Sequence, residues 1–306
     1  MNHLFIVNPI AGGRDQTEHI YAQALSAFSA RPDSFEIYTT VAPLDATNKV
    51  RQLAESGEEW YIYACGGDGT FHECINGAAG FENIAVAPIP PGTGNDFCRM
   101  FGPQQELYLD FPALVSGVPH KIDLIDVNGH LCAGIASVGI DARVGTNVHS
   151  YTHLPFCKGP GAYIASAAVE ILKGLIRKMK VTCGKFSYDG DVTLCCVCNG
   201  RYYGGGFNPS SNAMPDDGIL DIYFVRKMNL IQVASAIGEY AKGRAEDFPE
   251  YITHLRGDSV TITFEDRDVI NADGETILAD RAVFRIIPQA LNLIIPKGMT
   301  FFQKNK

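Results

Sequence analysis

Residues 60–77 read WYIYACGGDGTFHECING. The run Trp60–Cys65 has the length and the aromatic and apolar composition of a buried strand. The chain then breaks at the glycine-rich run Gly66–Thr70, after which apolar residues return at helical spacing, at Phe71, Cys74, Ile75 and Ala78. A strand, a glycine turn and a helix in this order bring backbone N–H groups and a helix N-terminus to one point, which predicts an anion site.

Asp68 is the unusual residue of this stretch. A carboxylate beside a phosphate is repelled unless a metal ion bridges the two groups. The stretch therefore predicts a metal-bound polyphosphate rather than a bare anion. The alternative is that the glycines only shape a tight turn.

The composition bounds the class of protein. The 306 residues are enough for about two domains. Contents of 46% apolar and 19% charged residues are ordinary for a globular chain. The net charge of −9 makes the protein a poor non-specific ligand for nucleic acid, so no nucleic-acid partner is predicted.

Cysteine usage and the N-terminus bear on location. The nine cysteines are odd in number and irregularly spaced, which favours free thiols in a reducing, cytoplasmic location. Met1–His3 leads directly into the apolar run Leu4–Val7, so no signal peptide is predicted. No apolar run approaches the roughly 18–20 residues that span a bilayer. Any membrane contact is therefore expected to be transient and peripheral, at the inner membrane surface.

Strands and helices alternate in the first part of the chain. Further strands are predicted at Leu4–Val7, Phe35–Thr39 and Ile84–Ile89, and further helices from about Thr17, at Thr47–Glu55 and at Phe97–Phe101. In the first helix, Ile20, Ala24, Leu25 and Phe28 are predicted to share the buried face. The alternation predicts an α/β domain with a Rossmann-like parallel sheet, whose ligands bind where the strands end. Three glycine-bearing loops, at 8–13, 66–70 and 90–96, follow such ends.

Strands dominate after about residue 120. They are predicted at Ile122–Val127, Leu131–Val138, Val181–Tyr188, Val192–Cys198, Ile219–Val225, Ser259–Phe264, Ala282–Ile287 and Leu291–Ile295, with helices at Tyr163–Lys178 and Leu230–Lys242. A run of strands after an alternating region predicts a second, mainly antiparallel β domain.

Four motifs occur along the chain in a fixed order: Asn8–Gly13 (NPIAGG), Gly66–Thr70 (GGDGT), Pro91–Phe97 (PGTGNDF) and Asn271–Glu275 (NADGE). Together, over essentially the whole chain, they resemble the catalytic family of diacylglycerol kinases, and in particular its soluble bacterial lipid kinases. The resemblance implies ATP, Mg²⁺, a lipid hydroxyl as phosphoryl acceptor, and an active site in the cleft between two domains. These would be an α/β nucleotide-binding domain at 1–125, completed by about 292–306, and a β-sandwich lipid-acceptor domain at 126–291.

By the same resemblance, the glycine loops hold the nucleotide. The implied residues are Asn8, Pro9, Gly12, Gly13, Thr40, Gly66, Gly67, Asp68, Gly69, Thr70, Glu73, Gly92, Thr93 and Asn95. Two of them have alternative roles, since Asn8 could hold only its own turn and Glu73 could only cap its helix. Arg14 stands where the family often has a third glycine, and it could add a charge that neutralises phosphate.

The resemblance also implies a Mg²⁺ network. Asp68, Asp96 and Asp123 would bind the ion through water, because carboxylates placed together repel one another without a cation. Asp126 is the rival for the third place.

A second, structural cation site is implied at residues 214–219. There the carboxylate of Asp217 would act with the backbone carbonyls of Met214 and Ile219, and oxygen ligands of this kind suit Mg²⁺ or Ca²⁺. The alternative is a plain Asp-Gly turn before a strand.

Catalysis is predicted at Asn271–Glu275. The acceptor hydroxyl must be oriented and must lose its proton as the P–O bond forms, and aspartate is the usual residue for this in kinases. The resemblance assigns that role to Asp273, with Glu275 orienting it or the metal network. The alternative is a type I′ hairpin turn at Ala272–Glu275, and both hold if the tip of the hairpin points into a cleft.

Two further features are interpreted structurally. Cys195, Cys196 and Cys198 lie in a predicted strand, where free cysteine serves as a small buried apolar residue. The basic residues between 173 and 180 end a predicted helix, where they suit its dipole and could also contact anionic lipid.

The sequence therefore predicts an ATP-dependent lipid kinase, with phosphorylation of diacylglycerol to phosphatidic acid as the leading hypothesis. An NAD kinase shares the Gly-Gly-Asp-Gly motif, but the loops at 8–13 and 91–96 follow the lipid-kinase pattern. Two rival functions stay open: a kinase of another lipid alcohol, such as a sphingoid base or phosphatidylglycerol, and a non-catalytic lipid or nucleotide sensor. The oligomeric state stays open as well, a homodimer included.

Overall fold

The computed structural model describes residues 1–13, 15–91, 95–151 and 174–304. The chain divides into two compact units, Met1–Leu124 with Pro288–Lys306, and Ile125–Ile287. The domain bounds implied by the resemblance, 1–125 with about 292–306 and 126–291, stay predictions. Among the helices of the described residues, none is long and apolar enough to span a membrane.

The described residues form helices and strands with the following bounds. The strands are β1 (Asn2–Val7), β2 (Ser34–Thr39), β3 (Trp60–Cys65), β4 (Ile84–Ile89), β5 (Val118–Val127), β6 (His130–Cys132), β7 (Ile135–Gly139), β8 (Arg177–Cys183), β9 (Phe186–Cys198), β10 (Leu220–Arg226), β11 (Ile252–Gly257), β12 (Ser259–Ala272) and β13 (Glu275–Ile295). The α-helices are α1 (Thr17–Phe28), α2 (Asp45–Glu55), α3 (Asp68–Ala78), α4 (Asp96–Arg99), α5 (Phe111–Val115), α6 (Ile140–Tyr151), α7 (Leu230–Tyr240) and α8 (Phe301–Lys304).

The first unit is built on parallel strands. β1 pairs with β2 on one side and with β3 on the other. β4 pairs with the free side of β3, and the end of β13 pairs with β4. Strands β1, β3 and β4 are buried on both faces, as parallel strands flanked by helices must be. Helix α1 packs through Ile20, Ala24 and Phe28, which recur every fourth residue. Leu25 is 54% exposed and not on the buried face as predicted, because it lies one position further round the helix.

In the second unit, the strands of the described residues pair antiparallel. β9 shows how this unit fills two cores, because successive side chains of a strand point to opposite faces. Cys195 and Val197 belong to a cluster with β8 and β12, whereas Cys196 and Cys198 belong to a cluster with α7. Burial raises the pKa of the Cys195 and Cys198 thiols well above the ordinary value, so both cysteines act as small apolar residues.

Several predicted bounds are wrong. Arg177–Lys180 starts β8 rather than ending a helix, because buried Met179 and Val181 alternate with exposed lysines. The rest of that predicted helix, 163–173, lies outside the described residues. The predicted strand Leu131–Val138 is divided into β6 and β7 at Ala133 and Gly134, and the predicted strands Ala282–Ile287 and Leu291–Ile295 are both parts of β13. β11 and α6 were not predicted.

Candidate functional site

The carboxyl ends of four neighbouring strands lie at one level in the first unit. Val7 at the end of β1 is in register with Thr39 of β2 and with Cys65 of β3, and Cys65 is in register with Ile89 of β4. The residues that follow, Asn8, Thr40, Gly66 and Pro90, therefore start side by side at the same edge of the sheet. The prediction that the glycine loops share one edge is confirmed by this register.

Asn8 connects the loop at 8–13 to the loop at 66–70. Its side-chain N–H donates to the Thr70 hydroxyl at 3.2 Å, while its Oδ1 accepts the backbone N–H of Ile10 at 3.2 Å. Its own backbone N–H donates to the Cys65 carbonyl at 3.1 Å. At Gly66, a Cβ would lie 2.3 Å from the Thr70 hydroxyl, so only glycine fits next to the hydrogen bond between Asn8 and Thr70. Asn8 thus holds its own turn and also the turn at the start of α3.

The first loop also meets the loop after β4. Gly12 has φ 70°, and a Cβ there would lie 3.0 Å from Cβ of Pro91. Gly13 has φ 76° and is open to solvent, which leaves its backbone accessible. Pro9 lies half-buried in the first loop. Arg14, Gly92 and Thr93 lie outside the described residues.

Two carboxylates come together at the N-termini of α3 and α4. Asp68 starts α3 directly after Gly67 and Gly66, and its Oδ1 accepts the backbone N–H of Asp96 at 3.2 Å. The buried side chain of Asn95 caps α4 by accepting the Cys98 N–H at 2.9 Å. Asp68 and Asp96 are therefore adjacent, as the predicted Mg²⁺ network requires.

Asp123 is a buried carboxylate of the first unit, 1% exposed, and it accepts the backbone N–H of Gln289 at 2.8 Å. Its rival Asp126 accepts the Gly129 N–H at 2.7 Å in the turn between β5 and β6. In the part of the chain that the structure describes, no three His, Cys, Asp or Glu side chains converge closely enough to hold a metal directly. A water-mediated network of Asp68, Asp96 and Asp123 stays a prediction.

Glu73 caps a neighbouring helix rather than its own. It lies in the second turn of α3, not the first as predicted, and its carboxylate accepts the backbone N–H groups of Leu44 at 3.0 Å and Ala46 at 3.1 Å. These are two of the N–H groups at the start of α2 that have no acceptor within the helix, and Glu73 satisfies both. The two helices pack closely, since a Cβ on Gly77 would lie 2.7 Å from the Thr47 carbonyl oxygen.

Replacing Glu73 by alanine is expected to lower the free energy of unfolding by about 1–2 kcal/mol, because two N–H groups lose their acceptor. Glu73→Gln keeps one acceptor oxygen and should lose about half as much. Urea unfolding of both variants measures this. Unchanged stability together with weakened ATP binding would contradict the capping role and favour direct contact with the nucleotide.

A cavity of about 250 Å³ opens beside this edge of the sheet, within the first unit. Polar side chains of α1 and its approach line one side, namely Gln16, His19 and Gln23. The cavity is also lined by Asn8, Gly66, Pro90, Pro91, Leu109 and Phe111. A cavity that combines hydrogen-bonding side chains with apolar surface at the ends of parallel strands is suited to a small organic ligand.

Asp273 occupies the tip of a hairpin in the second unit. Ala272 and Glu275 pair across the turn, and Asp273 (φ 48°) and Gly274 (φ 94°) are both left-handed, as a type I′ turn requires. The hairpin prediction is confirmed. The Asp273 carboxylate accepts N–H groups from Ala133 at 2.7 Å, from Ile135 at 2.9 Å and from Gly134 at 3.1 and 3.2 Å. These bonds explain why β6 and β7 are separate strands.

The carboxylate of Asp217 is held by two donors. Its Oδ2 accepts from the Arg256 guanidinium at 2.8 Å, and its Oδ1 accepts the backbone N–H of Ile219 at 3.0 Å. The second contact is the hydrogen bond that an Asp-Gly turn before a strand would make. Arg256 thus places a positive charge beside the Asp217 carboxylate. The structural cation that this carboxylate was expected to bind together with the Met214 and Ile219 carbonyls stays a prediction.

Asp141, which no motif singled out, is a carboxylate at the start of α6. Its Oδ1 accepts the Ala142 N–H at 2.8 Å, and the Tyr203 hydroxyl donates to its Oδ2 at 3.1 Å. Burial raises the pKa of Asp141 to about 6, since desolvation outweighs these hydrogen bonds. The only sequence signal is an acidic residue directly after an apolar strand, which is too common to be informative.

Because the pKa of Asp141 is raised, the free energy of unfolding of Asp141→Asn should depend on pH differently from that of wild type. Below pH 3.8 the carboxyl is neutral in both states, and as the pH rises through about 6 the folded state bears the cost of a buried charge. At about 1.4 kcal/mol per pKa unit, the rise from 3.8 to about 6 corresponds to about 3 kcal/mol, of which the asparagine variant should gain about 2 kcal/mol relative to wild type between pH 4.5 and 7.5. Urea unfolding at pH 4.5 and 7.5 measures the gain, and parallel profiles for the two proteins would refute it.

Family models match the two parts of the chain separately. The model described as diacylglycerol kinase catalytic domain matches residues 2–127, and the YegS C-terminal NAD kinase beta sandwich-like domain matches residues 134–295. The chain belongs to the diacylglycerol kinase-like family of lipid kinases. The resemblance inferred from the four motifs is thereby confirmed, and this lipid kinase carries both domains that the family models describe.

Individual relatives agree with this membership. A Stenotrophomonas maltophilia protein named "Probable lipid kinase YegS-like" is 26% identical over 303 residues, which cover 96% of each chain. A Bacillus subtilis protein named diacylglycerol kinase is 28% identical over 279 residues, 88% of each chain. A crystal structure described as a diacylglycerol kinase from Bacillus anthracis has a TM-score of 0.69 at 23% identity, covering 97% of this chain and 98% of the other. At that identity the structural likeness shows the fold.

Proposed function

We propose that this lipid kinase transfers the γ-phosphoryl group of ATP to the hydroxyl of diacylglycerol, giving phosphatidic acid. The register that sets the loops after β1, β3 and β4 at one edge of a Rossmann-like parallel sheet supports the nucleotide half of this proposal. The Bacillus subtilis relative named diacylglycerol kinase supports the acceptor. Since diacylglycerol is dissolved in the bilayer, the enzyme would work in the cytoplasm, in transient contact with the inner membrane surface.

The first unit would hold ATP. The N-terminus of α3 would offer backbone N–H donors to phosphate at Gly67–Gly69. The Gly66 N–H already donates to the Ile89 carbonyl and the Thr70 N–H to the Gly67 carbonyl, each at 3.1 Å. Gly12 and Gly13 let the first loop approach the phosphate. Asn8 and Thr40 lie on the same edge, where Thr40 donates its N–H to the Val7 carbonyl at 2.9 Å. The cavity beside α1 offers hydrogen bonds for the rest of the nucleotide.

Asp68 and Asp96 fit a magnesium site. Their oxygens are hard ligands of the kind Mg²⁺ prefers, and one or two carboxylates plus substrate phosphates are its usual partners in kinases. Bound Mg²⁺ would neutralise the charge of the phosphates. Asp68 is fixed for this task by the Asp96 N–H, and Asp123 would join through water.

Asp273 and Glu275 would serve the acceptor. The backbone donors of 133–135 hold the Asp273 carboxylate in one orientation, ready to accept a hydrogen bond from the lipid hydroxyl and then its proton. The longest of these contacts, from Gly134, is shared between both oxygens and is the one that an incoming hydroxyl would replace. Glu275 is exposed and directly follows the turn of the same hairpin.

The acceptor is tested by incubating the protein with labelled ATP and Mg²⁺. Vesicles containing diacylglycerol, a sphingoid base or phosphatidylglycerol, and NAD in a separate tube, are offered in parallel. We expect label in phosphatidic acid, and Glu275→Gln, an exposed site, should lower it without changing Tm. Label on NAD alone would overturn the lipid assignment, and label on another lipid alone would replace diacylglycerol as acceptor.

A further inference from the structure

The segment Ala133–Ile135 is hydrogen-bonded through its N–H groups and also through its carbonyl groups. The N–H groups donate to the Asp273 carboxylate. The carbonyl groups of 133 and 134 accept from Asn199 and Gly200, which directly follow β9. Asn199 is fully buried and belongs to none of the four motifs. Burying an amide costs free energy unless its hydrogen bonds are made, so the partners of Asn199 indicate what it does.

Three N–H groups of Asn199 and Gly200 reach this segment. The Asn199 side chain donates from Nδ2 to the Ala133 carbonyl at 2.9 Å. The backbone N–H groups of Asn199 and Gly200 both donate to the Gly134 carbonyl, at 2.9 and 2.7 Å. All three donors are therefore directed at the two carbonyls next to the N–H groups that hold Asp273.

Two peptide groups connect Asn199 to Asp273. A peptide group is planar, so its C=O and its N–H point in opposite directions and turn together. The peptide group 133–134 accepts from Asn199 Nδ2 at its oxygen and donates to Asp273 at its nitrogen. The peptide group 134–135 accepts from the Asn199 backbone N–H and donates to Asp273 at 2.9 Å. A hydrogen bond at one end thus fixes the direction of the bond at the other end, and bonds in such a chain strengthen one another.

Glycines allow the close approach of these groups. A Cβ on Gly200 would lie 3.1 Å from the Cα of Gly134, and a Cβ on Gly134 would lie 2.7 Å from Asp273 Oδ1. Gly200 therefore packs directly against the segment, which Asn199 and Gly200 support by contact as well as by hydrogen bonds.

The backbone of the hairpin depends on the same segment. The Asp273 N–H donates to the Ile135 carbonyl at 3.1 Å, and Ala272 is in register with Ala136 of β7. Glu275 directly follows the turn. A displacement of 133–135 would therefore displace both carboxylates that the proposed function uses.

We propose that Asn199 is a positioning residue, which orients the Asp273 carboxylate and the hairpin tip through the peptide groups 133–134 and 134–135. The catalytic consequence rests on the proposed function, because it assumes that Asp273 serves the acceptor hydroxyl. The geometric part, that Asn199 keeps these N–H groups on the carboxylate, does not depend on kinase activity. The two parts can therefore fail separately.

Amide hydrogen exchange, measured by NMR, tests the geometric part. In Asn199→Ala the Ala133 carbonyl loses the Nδ2 donor, so the Gly134 N–H should exchange at least about tenfold faster than in wild type. The amides of β8 report any general change, and Asp273→Asn gives the rate for amides that lack the carboxylate. Unchanged exchange at Gly134 in Asn199→Ala would overturn the proposal.

Asn292→Ala, in the first unit, is the matched control. Asn292 is 9% exposed, and its Nδ2 donates to the carbonyls of Glu82 and Ile84, both at 3.2 Å. Its replacement removes the same kind of hydrogen bond from a buried amide, so exchange at Gly134 should stay at the wild-type rate. An equal rise in both variants would mean that Asn199 acts only through general stability, which contradicts the proposal.

Kinetics test the catalytic part. At temperatures where both variants are folded, Asn199→Ala should have a kcat about tenfold below that of Asn292→Ala, with the KM for ATP nearly unchanged. A purely structural role would lower activity only with the folded fraction, and equal kcat in the two variants would therefore refute the positioning role in catalysis. Faster exchange at Gly134, together with a wild-type protein that phosphorylates no lipid, would support the geometric part and overturn the proposed function.

Gly200→Ala decides the matter if Asn199→Ala does not fold. Its Cβ presses on Gly134 while the Asn199 side chain is kept. Exchange at Ile135 should rise and kcat should fall, each at least about fivefold. Wild-type values of both quantities would overturn the proposal.

Discussion

Asp273→Asn is expected to lower kcat for lipid phosphorylation by about 10²–10⁴-fold, the usual contribution of a general base. The structure adds a second expected effect, which is lower stability. The asparagine amide must turn an N–H₂ toward backbone N–H groups that now donate to the carboxylate. Each donor left unsatisfied costs about 1–3 kcal/mol. Tm is therefore expected to fall together with activity.

A matched variant separates the two effects. In Gly134→Ala, a Cβ would lie 2.7 Å from Asp273 Oδ1, so the same hydrogen bonds are strained while the carboxylate is kept. If Asp273 is the base, Asp273→Asn should be at least tenfold less active than Gly134→Ala at temperatures where both are folded and bind ATP. Activity that simply follows the folded fraction in both variants would reduce Asp273 to a structural role.

Gly66→Ala is expected to have the second large effect, on the nucleotide loops. The added Cβ would lie 2.3 Å from the Thr70 hydroxyl and 2.7 Å from its Cβ. Thr70 must move, and the hydrogen bond from Asn8 that joins the loop at 8–13 to the loop at 66–70 is lost. Overpacking of this kind costs about 1–3 kcal/mol. We expect a lower Tm and ATP binding weakened at least tenfold, measured by calorimetry.

Two neighbouring glycines provide controls for that variant. A Cβ on Gly67 or on Gly69 meets nothing within 4 Å, so neither alanine variant should lose stability. If Gly67→Ala weakens ATP binding at unchanged Tm, its backbone approaches the nucleotide closely. A normal Tm for Gly66→Ala would contradict the steric argument.

The local pattern of the sequence predicted the elements that matter most for the site. The strands Trp60–Cys65 and Ile84–Ile89 have the predicted bounds, and the turn at Asp273 and Gly274 has the predicted type. Each is set by short-range physics: apolar composition for a buried strand, and tolerance of positive φ at an Asp-Gly pair.

What the sequence could not predict depends on residues far apart in the chain. Glu73 caps α2 because α2 and α3 pack side by side, and nothing near Glu73 in sequence indicates that partner. The split between β6 and β7 depends on a carboxylate about 140 residues later, at Asp273. Asp141 became noticeable only once the fold placed it in the wall of an apolar cavity.

The level ends of β1, β2, β3 and β4 restrict where this protein can change length. One extra residue inside β1 would move Asn8 by about 3.3 Å relative to Gly66 and turn its side chain to the other face of the sheet. The same insertion at the opposite ends of the strands, in the connections 29–33, 56–59 or 79–83, leaves the register intact. Length variation in this unit should therefore be tolerated on only one side of the sheet, and a library of single-residue insertions would map that asymmetry.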